Sequence, residues 1–181
     1  GAIAGTSDAA DVLRRKGYGN YLATIPQFGV DPDVYAPNDN HSANPHFTIG
    51  YVGRLVEEKG LCVLADALAD LEGDWRAVFV GSGPLQARLS EHFLADQLED
   101  RIDWLGQVPS GQIPKLLHRL DVLVLPSLTR PNWKEQFGRV LIEAMACGVP
   151  VVGSTSGAIP DVIGGAGLLF AVSYAVCPFL P

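Results

Sequence analysis

The sequence has few cysteines, few histidines, one methionine and no excess of positive charge, and each shortage narrows what the chain does. Its three cysteines, Cys62, Cys147 and Cys177, are odd in number and form no Cys-x-x-Cys or Cys/His cluster. That pattern disfavours both a disulfide framework and a zinc site, and no metal site is expected. Cys62 and Cys147 fall in apolar helical patterns and read as small core residues in a reducing compartment. His41, His46, His92 and His118 have no metal-ligand spacing and read as solvent-exposed. Lys and Arg number 13 against 20 Asp and Glu, for a net charge of −7. An acidic chain without a basic cluster is a poor partner for nucleic acid. It also offers no polybasic patch to anionic lipid. No apolar run reaches the roughly 20 residues of a transmembrane helix. The opening Gly-Ala-Ile-Ala-Gly has neither an initiator methionine nor the charged start of a signal peptide. It reads as the middle of a longer chain.

What is present is an ordinary globular composition. The hydrophobic fraction is 48% and the charged fraction 18% over 181 residues, enough for a sizeable core. From residue 47 the pattern repeats as strand, turn, helix. Strands are predicted at 47–52, 76–80, 102–105, 122–125 and 149–153. Helices are predicted at 60–71, from Pro84 to 94, at 110–119 and at 138–147. Val122 to Leu125 is wholly apolar, as expected for a parallel strand covered on both faces. Before this, a strand at 2–5 and an amphipathic helix at 8–16 form a first unit, and 38–45 reads as a loop. The alternation predicts an α/β, doubly wound parallel sheet. Ligands of such sheets bind beyond the carboxyl ends of the strands. Gly53-Arg54, Gly81-Ser82-Gly83, Gly106-Gln107-Val108, Ser127 and the loop ending at Glu135 all fall there.

The segment from Glu135 to Gly148 carries the most chemistry. From Val140 to Cys147 every residue but Glu143 is apolar. A carboxylate on so apolar a helix is costly unless something hydrogen-bonds it. Arg139 is one local candidate, and a ligand with paired hydroxyls is the other. Glu135 lies eight residues earlier, just before Gly138. On one ideal helix the two carboxylates would be about 12 Å apart along the axis and roughly 80° apart around it. They would then grip two parts of a long ligand lying across the helix N-terminus, whose free N–H groups suit a phosphate. Hydroxyl ring, phosphate, hydroxyl ring describes a nucleotide-diphosphate sugar.

Glu135-Gln-Phe-Gly-x-x-x-x-Glu143-Ala-Met-Ala-Cys-Gly148-x-Pro-Val-Val resembles the signature of the retaining glycosyltransferases of family 4, which have the GT-B fold. The resemblance runs from about Ala2 to Phe170. It implies a Rossmann-like sheet as one half of a GT-B fold, with the active site in a cleft between two such domains. Residues 1–22 would be the remnant of the N-terminal acceptor domain, and 23–170 the nucleotide-sugar-binding C-terminal domain. Residues 171–181 depart from the family and read as an atypical or truncated tail. In Ile25-Pro-Gln-Phe-Gly-Val-Asp31 the family more often has Asn where Phe28 stands. Ser156-Gly-Ala-Ile-Pro-Asp161 resembles a family loop that usually ends in Glu; Asp161 is shorter and receives no catalytic role.

The resemblance also implies roles. Arg54 and Lys59 would hold the departing diphosphate, Glu135 would contact donor-sugar hydroxyls, and Glu143 would bind the ribose. The N–H groups of Gln136, Phe137 and Gly138 would line the phosphate or sugar. No metal and no cofactor beyond the donor are implied, and the location implied is the cytoplasm, including the inner face of the membrane. The partners are a nucleotide sugar, an acceptor of unknown kind and the missing N-terminal domain; without that domain the fragment is expected to be inactive.

Bland readings stand beside these. Arg54 and Lys59 could pair with Glu57 and Glu58 on the surface. Gly81-Ser82-Gly83 is either a phosphate cradle or a tight turn. Gly53, Gly81 and Val108 are donor-binding candidates through their backbone, though Gly106-Gln107-Val108 could be a plain connector. Trp75, Trp104 and Trp133 read as packing residues. Two other functions remain open: a non-catalytic nucleotide-sugar-binding module and a sugar-nucleotide epimerase. A two-carboxylate hydrolase fits less well, because its carboxylates must flank one scissile bond.

Overall fold

The computed structural model describes residues 1–26, 28–38 and 45–172. Most of the predicted loop at 38–45 and of the tail at 171–181 lies outside these residues, as do Gln27, His41 and Cys177. The chain opens with strand β1 (Ala2–Ala4), helix α1 (Ser7–Arg15) and strand β2 (Leu22–Thr24). β1 and β2 pair in parallel as a separate two-stranded sheet. α1 starts where it does because the Thr6 side chain accepts the Ala9 N–H at 3.1 Å. Asp8 in its first turn and Arg14 and Arg15 in its last complement the helix dipole.

The second sheet has six strands: β3 (Phe47–Val52), β4 (Trp75–Val80), β5 (Ile102–Gly106), β6 (Val122–Leu125), β7 (Val151–Ser154) and β8 (Leu168–Phe170). All are parallel, in the order β5-β4-β3-β6-β7-β8. This is the doubly wound order, and its switch point lies between β3 and β6. The crossovers contain α2 (Leu61–Ala69), α3 (Gln86–Ala95), α4 (Ile113–Leu117), α5 (Arg139–Ala146) and α6 (Ile159–Ile163). α2 buries Leu61, Leu64, Ala65 and Leu68. Their i, i+3, i+4, i+7 spacing is one face of a helix. In the core Phe79 stacks on Trp104 with ring centroids 4.7 Å apart, flanked by Tyr51 and Phe93. Trp75 and Trp104 are packing residues, as predicted.

Several boundaries differ from expectation. The helix predicted at 60–71 begins at Leu61, after a single 3-10 turn at Glu57–Lys59. The helix predicted at 110–119 is a 3-10 turn, Ser110–Gln112, followed by the short α4. α5 starts at Arg139, so Glu135 lies in the loop before it, not on the same helix as Glu143. Cys62 and Cys147 are both buried. Cys147 is a free thiol, whereas Cys62 is disulfide-bonded, which departs from the reading of both as core thiols only.

Two glycines bring the switch-point loops together. Gly60 has φ 68°, and a Cβ there would lie 1.9 Å from the Pro126 carbonyl oxygen after β6. Gly157 has φ 54°, and a Cβ there would lie 2.0 Å from the Glu135 carbonyl oxygen. Both combine left-handed backbone with a contact that no side chain permits. Gly60→Ala is expected to lower stability by about 1–3 kcal/mol, the usual cost of forcing a side chain into such a site. An unchanged urea midpoint in Gly60→Ala would show that the two loops do not need this approach.

Candidate functional site

The carboxyl ends of β3, β4, β5, β6 and β7 all open at one edge of the sheet, and the predicted candidates collect there. At the switch point Lys59 and Glu135 meet. Lys59 Nζ donates to Glu135 Oε2 at 2.5 Å, and Ser127 Oγ donates to the same oxygen at 2.7 Å. The two charged side chains are only 15% and 10% exposed, and Ser127 is fully buried. The Trp133 ring lies 5.3 Å from the Lys59 ammonium, within cation–π range. Trp133 therefore does more than the packing predicted for it.

The loops are held by backbone bonds as well as by charge. Leu128 N–H donates to the Glu58 carbonyl at 2.9 Å, which ties the loop after β6 to the turn carrying Lys59. Ala158 N–H donates to the Glu135 carbonyl at 2.9 Å. Two serines, one ending β7 and one just beyond it, do the rest. Ser154 Oγ donates to the Ser127 carbonyl at 2.5 Å, and Ser156 Oγ to the Leu128 carbonyl at 2.8 Å. Sequence reading missed both. Their signal was weak: two of three successive hydroxyl residues at a strand end, each able to satisfy a backbone group in a buried loop.

The other candidates divide. Arg54 is 67% exposed and lies 3.7 Å from Glu58, so its surface pairing is real. Lys59 pairs with neither Glu57 nor Glu58; Glu57 instead holds Arg130 at 3.1 Å. Glu143 is 7% exposed, forms an ion pair with Arg139 Nε at 3.0 Å and lies beside the Tyr35 hydroxyl. The local Arg139 partner thus exists, and Tyr35 is a partner that the sequence did not suggest. Phe137 is buried, with Phe28 edge-on at 5.1 Å. Gly138 is the left-handed residue ahead of α5, its φ 75°. The N–H groups of Gln136, Phe137 and Gly138 have no acceptor among the described residues.

Gly53, Gly81 and Val108 are placed differently. Gly53 N–H donates to Val80 O at 2.9 Å, and Gly81 N–H to Gly106 O at 2.6 Å. A Cβ on Gly81 would lie 1.9 Å from Gly53 O, and one on Gly83 would lie 2.2 Å from Leu55 O. The Gly81-Ser82-Gly83 segment is therefore a close-approach turn that supports the Arg54 loop, and the amides of Gly53 and Gly81 are already used. Val108 packs against the core.

A cavity of about 1040 Å³ opens beside Glu135 and Gln136. Its other wall is α1 and the loop before it. Lys134 Nζ bridges the two walls to Asp8 at 2.9 Å, and Ser7 donates to Asp161. Among the described residues no group of three His, Cys, Asp or Glu side chains could hold a metal ion. His46 pairs with Asp74, His118 meets the Ala36 carbonyl, and His92 is 11% exposed between Asp66 and Asp96. Their predicted solvent exposure is thus wrong for His92. No described helix is long and apolar enough to cross a membrane.

Fold and site define a Rossmann-like α/β domain whose strand-end loops present a largely buried ion pair next to amides that have no acceptor among the described residues. Residues 36–173 match the family model of the glycosyl transferases group 1. The chain belongs to that family. It is 37% identical over 121 residues to 2-deoxystreptamine N-acetyl-D-glucosaminyltransferase of Streptomyces fradiae, covering 64% of this chain and 28% of that protein. The structure of Anabaena HepE in complex with UDP and glucose superposes with a TM-score of 0.77 at 26% identity, covering 93% of this chain and 48% of that one. The C-terminal domain of the group 1 protein LpcC from Francisella tularensis superposes with a TM-score of 0.68 at 28% identity, covering 79% and 80%. The chain spans about a third of the length of the curated relatives it matches.

Tyr51 supports the Arg54 loop, its hydroxyl donating to Arg54 O at 2.8 Å. Burial, with Glu135 nearby, raises this hydroxyl well above its ordinary value of 10.0. The folded chain then holds the proton more tightly than the unfolded chain. This group's contribution to stability is complete below about pH 10 and is lost as pH rises beyond it. Tyr51→Phe is expected to cost about 1 kcal/mol at neutral pH and to flatten that alkaline loss. Urea denaturation from neutral pH to about pH 11 tests this; parallel alkaline losses in both proteins would refute it.

Proposed function

We propose that this chain is the donor-binding half of a retaining family 4 glycosyltransferase that uses a nucleotide-diphosphate sugar. The observation that carries this reading is the Lys59–Glu135–Ser127 cluster at the switch point, beside the free N–H groups of residues 136–138 and with buried Glu143 eight residues on. UDP and glucose in the Anabaena neighbour support it. Residues 1–22 are the remnant of an acceptor domain and 23–170 the donor domain. The match to an isolated C-terminal domain favours that division.

In this reading Glu143 accepts from the ribose hydroxyls and Glu135 from the hydroxyls of the donor sugar. The bond between the anomeric carbon and the diphosphate oxygen breaks, and its electron pair leaves with the diphosphate. Arg54, Lys59 and the amides of residues 136–138 meet the charge that develops there. The acceptor hydroxyl bonds to the anomeric carbon on the face the diphosphate left and gives its proton to the departing diphosphate oxygen.

Calorimetric titration with UDP, GDP and ADP and their glucose forms tests the reading. One base is expected to bind, with no sugar transfer by this chain alone; binding by none of them would sink the proposal. Glu143→Gln is expected to weaken the bound nucleotide roughly tenfold to a hundredfold, the scale of one charged hydrogen bond. Unchanged affinity with a large loss of thermal stability would instead make Glu143 a structural partner of Arg139 and Tyr35. Arg54→Ala is expected to weaken the nucleoside diphosphate more than the nucleoside, by a margin that shrinks at high salt. Equal losses for both ligands would place Arg54 away from the phosphates.

A further inference from the structure

Lys59 is paired with Glu135 at the switch point. The ammonium is covered by Trp133 on one side and bonded to Oε2 on another. Glu135 Oε2 already accepts two hydrogen bonds, from Lys59 and Ser127. Its Oε1 accepts none from the described residues, and Glu135 lines the large cavity. The carboxylate therefore has one occupied oxygen and one that a ligand hydroxyl can reach.

We propose that Glu135 and the donor diphosphate compete for Lys59, and that this competition makes the site prefer a nucleotide sugar to the bare nucleoside diphosphate. The inference rests on the reading of the ligand as a nucleotide sugar. A bare diphosphate that draws Lys59 away leaves the largely buried Glu135 carboxylate without its counter-ion, next to new negative charge. Removing one partner of a shielded pair is strongly unfavourable. A nucleotide sugar brings hydroxyls that donate to Glu135 and replace what Lys59 gave. The penalty then falls on the product of transfer more than on the donor, which favours release of the spent nucleotide.

The test measures affinities for UDP and UDP-glucose in the wild type and in Glu135→Gln, or for the guanosine or adenosine pair if that base is selected. The amide cannot neutralise Lys59, so the variant is expected to bind UDP about tenfold more tightly than the wild type, the scale of one charged hydrogen bond. UDP-glucose should gain nothing or lose affinity. Binding of UDP should also fall more steeply with salt in the variant, because Lys59 then meets the phosphates as an unpaired cation. The wild type, which needs no substitution to fold, must bind UDP-glucose at least as tightly as UDP. UDP affinity unchanged or weakened in a folded Glu135→Gln, or a wild type that prefers UDP, overturns the competition while leaving the nucleotide-sugar reading in place. A wild type that binds none of these nucleotides overturns both.

Discussion

The ion pair between Lys59 and Glu135 joins residues 76 apart in sequence, and the rest of the site is arranged around it. Two charges withdrawn from water attract strongly only if their geometry is held and their remaining valences are met. Ser127 supplies the second hydrogen bond to the carboxylate, and Trp133 covers the ammonium. Gly60 lets the lysine turn approach the end of β6, and Gly157 lets the loop after β7 support the backbone of Glu135. These supporting features come from three different crossovers, so the pair forms only when β3, β6 and β7 lie side by side.

That adjacency explains why the site sits where it does. In the doubly wound order the crossovers diverge at β3 and β6, and a crevice opens at their carboxyl ends. The turn after β4 packs closely against the loop after β3. It gives its glycines to close backbone contacts with residues 53–55, which fixes the loop carrying Arg54. Tyr51 holds the same loop from below through its bond to the Arg54 carbonyl. The exposed cation is thus mounted on a rigid base, while its own side chain remains in solvent.

The segment leading into the second sheet matters more than its polarity suggested. Tyr35 meets Glu143, the carbonyl of Ala36 meets His118, and Phe28 lies edge-on to Phe137. These contacts anchor the 28–38 passage to α5 and its neighbours. The Phe28 ring, at a position where a polar residue was expected by resemblance, trades a hydrogen-bonding group for an aromatic contact. Burial and the adjacent Glu143 raise both the Tyr35 hydroxyl and the Cys147 thiol, so each stays protonated beside that carboxylate at neutral pH.

Much of this protein could be read from its residues in order. Apolar runs such as Val122 to Leu125 are local and sufficient to predict parallel strands, and their alternation with helices yields the doubly wound class. The apolar setting of Glu143 and its spacing from Glu135 singled out one stretch of chain, and the fold brings its Glu135 to Lys59 at the switch point. Local signals could not say that Gly138 ends one conformation and α5 begins after it, which moves Glu135 off the helix. Nor could they choose a partner for Lys59, since Glu57 and Glu58 are nearer in sequence and Glu135 is nearer in space. Ser154 and Tyr35 carry no pattern of their own, and the loop opening at Ser156 was recognised without a role for that hydroxyl; their roles arise from which elements become neighbours. Sequence alone determined the elements and the chemistry available at their ends. Tertiary structure decided which charges meet, because burial and strand order, not proximity along the chain, set the distance between them.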